Sequence, residues 1–296
     1  MERLTGIEIA WAAQLACLFE VSVEKPGNVS PRAGFADARF EDFAASAVAI
    51  GPALREAGLA TVGETIARAA ADTRRLVASN TNLGMILLLA PLARAAASLP
   101  AGGGLRAAVS VVLKSLTVQD ARLAYEAIRA ASPAGMGEVD RHDVVEDDVT
   151  VTLREAMDVA RARDSVAREY VTDFEITFAL GADTLSRCWE DGVAFSDTVL
   201  TAFLTILAEV PDTLIARKNG KEAAEDVSRR AARVLSAGGS LSERGRVCLA
   251  DLACELGDEA HTLNPGTTAD LVAAALFVFL TEGRMLAAVP ALTAHW

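Results

Sequence analysis

The sequence predicts an all-α protein, a single large globular array of roughly twelve helices over residues 1–296. Three observations predict it. Apolar residues recur at helical spacing along nearly the whole chain, and no alternating run is long enough to propose a strand. Ala, Leu and Val dominate while aromatic residues make up 5%, which favours close-packed helices over a β-sandwich. Capping boxes, glycines and prolines punctuate the periodic segments.

The elements follow in order. Thr5-Gly-Ile-Glu8 is a capping box, and Ile9, Ala12, Ala13, Leu15, Ala16 and Phe19 form the apolar side of the first helix. Further helices are expected from about Glu41 to Ala57, stopped by Gly58, and from Val62 to about Ala78. Asn80-Thr81-Asn82 caps a strongly apolar helix that ends near Pro100 and the Gly102-Gly103-Gly104 run. Leu105 to Leu116 and Val118 to Ala131 make two more, with Thr117-Val-Gln-Asp120 as a cap between them. Thr152-Leu-Arg-Glu155 is another capping box, followed from Arg154 to Trp189 by one or two long helices with dense charge pairs at i,i+4. Phe195–Glu209, Glu222–Ser236, Leu241–Leu256 and Thr268–Glu282 complete the set. The one compositional break is an acidic loop at about 132–150, read as a solvated connector or a lid rather than a domain boundary.

Composition bounds the function. A chain of 296 residues, 52% hydrophobic, can bury a large core. Its net charge of −12 argues against a nucleic-acid partner, which needs a basic face. The same charge requires local Lys or Arg, and a divalent cation held by carboxylates, if polyphosphate is to bind. Cys17, Cys188, Cys248 and Cys254 form no CxxC pair and read as free thiols in a cytoplasmic protein. No signal peptide is expected at the N-terminus, and the apolar stretches Met85–Ala93 and Leu271–Leu280 are too short to span a membrane. The three histidines, His142, His261 and His295, are expected to add little.

Five polar clusters lie at helix ends. The first is Glu20 with Lys25-Pro26-Gly27-Asn28. Pro26 fixes φ and biases Lys25 towards extended backbone, Gly27 permits positive φ, and Lys is scarce, with four in the chain against 24 Arg. A compact ammonium in such a turn can reach a phosphate, although the same turn can simply end a helix. The second cluster is Asp37, Arg39 and Glu41-Asp42-Phe43, with Ser46 one turn on. The third, Ser79-Asn80-Thr81-Asn82-Leu83-Gly84, and the fifth, Asn264-Pro265-Gly266-Thr267-Thr268-Ala269-Asp270, open core helices; both are natural anion sites as well as plain caps. The fourth runs from Asp212-Thr213, at a helix start, to Arg217-Lys218-Asn219-Gly220 at its end.

Taken in order, these clusters resemble a divergent branch of the triphosphoribosyl-dephospho-CoA synthase family. The family's pattern is matched by Lys25-Pro26-Gly27, Asp42-Phe43 with Ser46, Asn80-Thr81-Asn82-Leu83-Gly84, Gly135-Met136-Gly137-Glu138, Asp212-Thr213 to Gly220, and Gly266-Thr267-Thr268-Ala269-Asp270. The chain departs from it where Asn82 and Leu83 stand in place of His and Lys, where Ala36 and Asp37 lie near an absent His, and where Lys218-Asn219-Gly220 replaces Arg-Gly-Gly. The resemblance implies an all-helical enzyme. It would move the triphosphoribosyl group of ATP to the ribose 2′-hydroxyl of dephospho-CoA or a related acceptor, releasing adenine with the help of Mg²⁺. It also implies roles. Lys25, Arg217 and Lys218 would meet phosphates, with Gly27, Asn28, Asn80, Thr81, Gly266 and Thr267 as further binding groups. Glu20, Asp42 and Asp212 would supply the catalytic carboxylates, and Asp212 and Asp270 would hold metal. Two other classes stay open: a hydrolase of an N-glycosidic nucleotide bond, and a non-catalytic helical binding protein. The apolar all-α composition also admits a homodimer.

Overall fold

Two helices without a polar face organise the fold, and the sequence dictates both. In the computed structural model, which describes residues 4–35, 38–99, 103–131, 149–257 and 262–282, these are α5 (Leu83–Ser98) and α15 (Gly266–Glu282). Every residue of α15 from Leu271 to Thr281 is buried, as are all but a few of α5, the pattern of a helix enclosed on all sides. α1 (Gly6–Ser22) packs against both. Pro91 lies inside α5 and has no N–H for the Leu87 carbonyl; the Tyr170 hydroxyl donates to that carbonyl at 2.6 Å and replaces the missing bond.

The remaining helices wrap this centre. On one side lie α2 (Phe40–Ala49), α3 (Gly51–Arg55), α4 (Val62–Leu76), α6 (Leu105–Lys114) and α7 (Val118–Ala131). The expected helix at 41–57 is two pieces, because Gly51-Pro52 restarts the chain as α3. On the other side lie α11 (Phe195–Glu209), α12 (Thr213–Asn219), α13 (Lys221–Ser236), a 3₁₀ turn (Gly239–Leu241) and α14 (Glu243–Leu256). Edge-to-face contacts join Phe19 of α1 to Phe195 of α11 (5.0 Å) and Trp189 to Phe279 of α15 (6.5 Å). The capping boxes at Thr5 and Thr152 form as the sequence requires, and Thr61 makes another with Glu64.

The segment expected as one or two long helices is four. α8 (Leu153–Ala160) and α9 (Ser165–Val171) are followed by a π-helix (Ile176–Ala182) and α10 (Asp183–Glu190). Asp164 stops the first and caps the second, accepting from the Val166 and Ala167 amides at 2.8 and 3.3 Å. Asp173 and Phe174 then take left-handed backbone (φ 54° and 58°), and the fully buried Glu169 carboxylate receives the Ile176 and Thr177 amides that open the π-helix. The count among the described residues is therefore fifteen α-helices, with no strand. No single described helix is long and apolar enough to cross a membrane.

Candidate active site

The starts of α5 and α15 meet at Gly84 and Asp270. A Cβ on Gly84 would overlap the Asp270 carboxylate, so the glycine is what lets α5 open directly against it. Asp270 keeps part of its surface in solvent, and no described residue donates a hydrogen bond to it or pairs with it. Burial, then the negative charges of Glu20, Asp212 and Asp164, push its pKa well above the ordinary carboxylate range, and Arg217 opposes this.

Asp212 ties two helix starts together. One oxygen accepts from the Leu214 and Ile215 amides at 2.8 and 3.1 Å, capping α12. The other accepts from the Thr268 amide at 2.7 Å and its hydroxyl at 2.8 Å, holding α15. Thr213 donates to Thr267 at 3.2 Å and accepts from the Ser165 amide at 3.3 Å, which brings in the start of α9. Four donors thus saturate a buried carboxylate whose pKa is nonetheless raised by burial.

Glu20 and Lys25 form a buried ion pair of 3.1 Å, with Lys25 also donating to the Glu20 and Val23 carbonyls. The Lys25 side chain has no exposed surface, so the ammonium expected on a phosphate is engaged by its own helix end. Burial raises the Glu20 pKa and Lys25 draws it back. Gly27 has φ 74°, and a Cβ there would stand 2.9 Å from Pro265 and 3.0 Å from Leu256. The Lys-Pro-Gly turn is therefore seated on the chain leading into α15. Asn28 donates to Asn264 at 3.3 Å, while its own Oδ1 is buried with no donor among the described residues. Cys17 lies near Glu20 and Asp270, and burial pushes its thiol pKa up, away from the thiolate form.

The other expected residues divide. Thr81 reaches Ser46 at 2.5 Å between hydroxyls, and Ser46 donates to the Asp42 carbonyl, so the second and third clusters do meet. The Asp42 carboxylate itself caps the Arg39 amide at 2.8 Å, and no described contact joins it to Asp270. Asn80 accepts from the Leu83 amide at 3.3 Å, and Gly266 is the first residue of α15. Arg217 pairs with the half-buried Asp164 at 2.6 Å, and both Arg217 and Lys218 are exposed. Asp164 was missed because it sits in what reads as continuous helix; its cap signal is the Asp164-Ser165 pair. Asp37, the Gly135–Glu138 segment and the three histidines lie outside the described residues. Among the described residues no group of three His, Cys, Asp or Glu side chains converges to hold a metal ion.

Comparison with known proteins places this chain in a family. Residues 7–287 match the model of a family described as ATP:dephospho-CoA triphosphoribosyl transferase. A protein of Pseudomonas syringae pv. tomato named as a probable 2-(5″-triphosphoribosyl)-3′-dephosphocoenzyme-A synthase is 37% identical over 94 residues, 32% of each chain. One of the same name from Azotobacter vinelandii is 38% identical over 98 residues, 33% of each. The matched part thus spans about a third of the length of these curated relatives. The crystal structure of a candidate triphosphoribosyl-dephospho-CoA synthase from Archaeoglobus fulgidus superposes with a TM-score of 0.62 at 27% identity, covering 81% of this chain and 98% of that one.

Proposed function

The chain belongs to the ATP:dephospho-CoA triphosphoribosyl transferase family, and on that premise we propose that it moves the triphosphoribosyl group of ATP to the 2′-hydroxyl of dephospho-CoA, releasing adenine. The observation that carries this is Asp270, a carboxylate with no described partner, set where two core helices begin. The first-turn amides of α5 and α15, with Arg217 and Lys218, would receive phosphate oxygens. Lys25 would act through Glu20, holding its carboxylate in place rather than touching phosphate.

The reaction breaks the N-glycosidic bond at C1′ and forms a C1′–O bond to the acceptor. Positive charge develops at C1′, and the carboxylates around Asp270 favour it. The acceptor hydroxyl gives up a proton, a role we assign to Glu20 for its place beside Asp270. Adenine leaves with a proton. Mg²⁺ fits this site only in part: Asp212 is saturated by four donors, so Asp270 would be the protein ligand, with phosphate and water oxygens completing the shell. Bound so, the ion would neutralise phosphate charge. We read the chain as one domain of a cytoplasmic enzyme, and light scattering decides whether it forms a homodimer.

The test combines product analysis with one variant. Incubation with ATP, Mg²⁺ and dephospho-CoA is expected to give adenine and the 2′-linked product by mass spectrometry. Asp270→Asn should cut that rate by ~10²-fold or more. Without ligand the variant should melt no lower than the wild type near neutral pH, since a raised carboxylate pKa makes the ionised form a burden on the fold. Adenine released equally without acceptor would replace the transferase with a hydrolase, and a destabilised, fully active variant would leave Asp270 a structural role alone.

A further inference from the structure

Beside the start of α5, on the flank formed by the ends of α4 and α7, lies a shallow, solvent-open groove. It is lined by Thr73, Asn80, Thr81, Asn82 and Ile86, and Arg74 is the one cation among its described lining residues. The lining is held from behind. Asn82 Nδ2 donates to the Ser46 carbonyl at 3.3 Å and to Thr73 Oγ1 at 3.4 Å, which fixes the amide's orientation. Asn82 is 4% exposed, and no described residue donates to its Oδ1. Arg75 pairs with Asp72 at 3.6 Å, whereas Arg74 has no ion pair or hydrogen bond among the described residues. An apolar side chain, a fixed amide acceptor and an uncommitted guanidinium make a complementary surface for a chain that carries amide N–H groups and a diphosphate.

We propose that this groove holds the amide-bearing diphosphate arm of the acceptor nucleotide, with Arg74 on the diphosphate and Asn82 Oδ1 accepting from an amide N–H. This rests on the transferase reading above and adds the residues that select the acceptor. The groove and Asp270 lie along one short stretch, Asn80 to Gly84, so an arm seated here leaves its ribose near the reacting carboxylate.

Calorimetric titration of wild type, Arg74→Ala and Arg74→Lys with dephospho-CoA, and separately with ATP, tests it. Arg74→Ala should weaken dephospho-CoA binding roughly 10- to 100-fold, the worth of a charged hydrogen bond, with ATP affinity and melting temperature unchanged. Arg74→Lys should recover part of the loss. A loss that falls on ATP instead overturns the assignment, as does wild-type affinity of Arg74→Ala for dephospho-CoA. A wild type that binds dephospho-CoA through Arg74 yet yields no product leaves the groove standing and sinks the transferase reading; one that binds neither nucleotide sinks both.

Discussion

Lys25 is the residue whose surroundings matter most for interpreting a substitution. Its ammonium lies 3.1 Å from Glu20 with no solvent-exposed side-chain surface. Removing one partner of such a pair leaves the other charge buried and alone, which costs about 3–5 kcal/mol. Lys25→Ala should therefore lower stability by about that amount in urea denaturation. Lys25→Met combined with Glu20→Gln should restore much of it. Unchanged stability together with weakened ATP binding would instead put the ammonium on a phosphate. The scarcity of Lys and the Pro26-Gly27 turn are legible in the sequence, but the direction of the side chain is not. A turn fixed by Pro26 can aim Lys25 outward or back, and only the position of Glu20 at the end of α1 decides it.

At the scale of elements, the sequence yields the helices that carry an apolar stripe and a clean cap, and fails where a buried carboxylate sets the backbone. Phe195–Glu209 is found as expected, and α15 begins two residues early. The π-helix is invisible in the sequence, because its cause is tertiary: the Glu169 carboxylate inside the core accepting the Ile176 and Thr177 amides. Burial pushes the Glu169 pKa up from 4.5 to about 7, against those hydrogen bonds. The folded chain therefore binds this proton more tightly than the unfolded chain. The contribution to stability is complete below pH 4.5 and is lost as the pH rises through about 7. At ~1.4 kcal/mol per pH unit it amounts to about 3 kcal/mol. Denaturant midpoints at pH 5 and pH 8 should show the wild type weakening with rising pH and Glu169→Gln losing much of that slope. Parallel slopes would place the titration elsewhere.

For the whole molecule, charge sets how substrate arrives. A chain of net charge −12 repels a polyphosphate at long range, although the Arg217 guanidinium acts on Asp270. Raising salt from ~50 to ~300 mM shortens the screening length and should quicken ATP association in stopped flow. Slower association would mean that the local cations dominate the approach. The sequence clusters name most of the residues that the fold gathers around Asp270, yet not Asp164, nor that Asp212 is consumed as a joint between helices. Both facts depend on which helix starts become neighbours, and periodicity carries no such information. The placement of Asp270 has a consequence for folding order. α15 packs against α1, α5, α11 and the π-helix, so the element that bears Asp270 is also the axis of the core. A partly folded chain lacking α15 has neither a closed interior nor a complete site. Binding that depends on Asp270 therefore reports the finished fold.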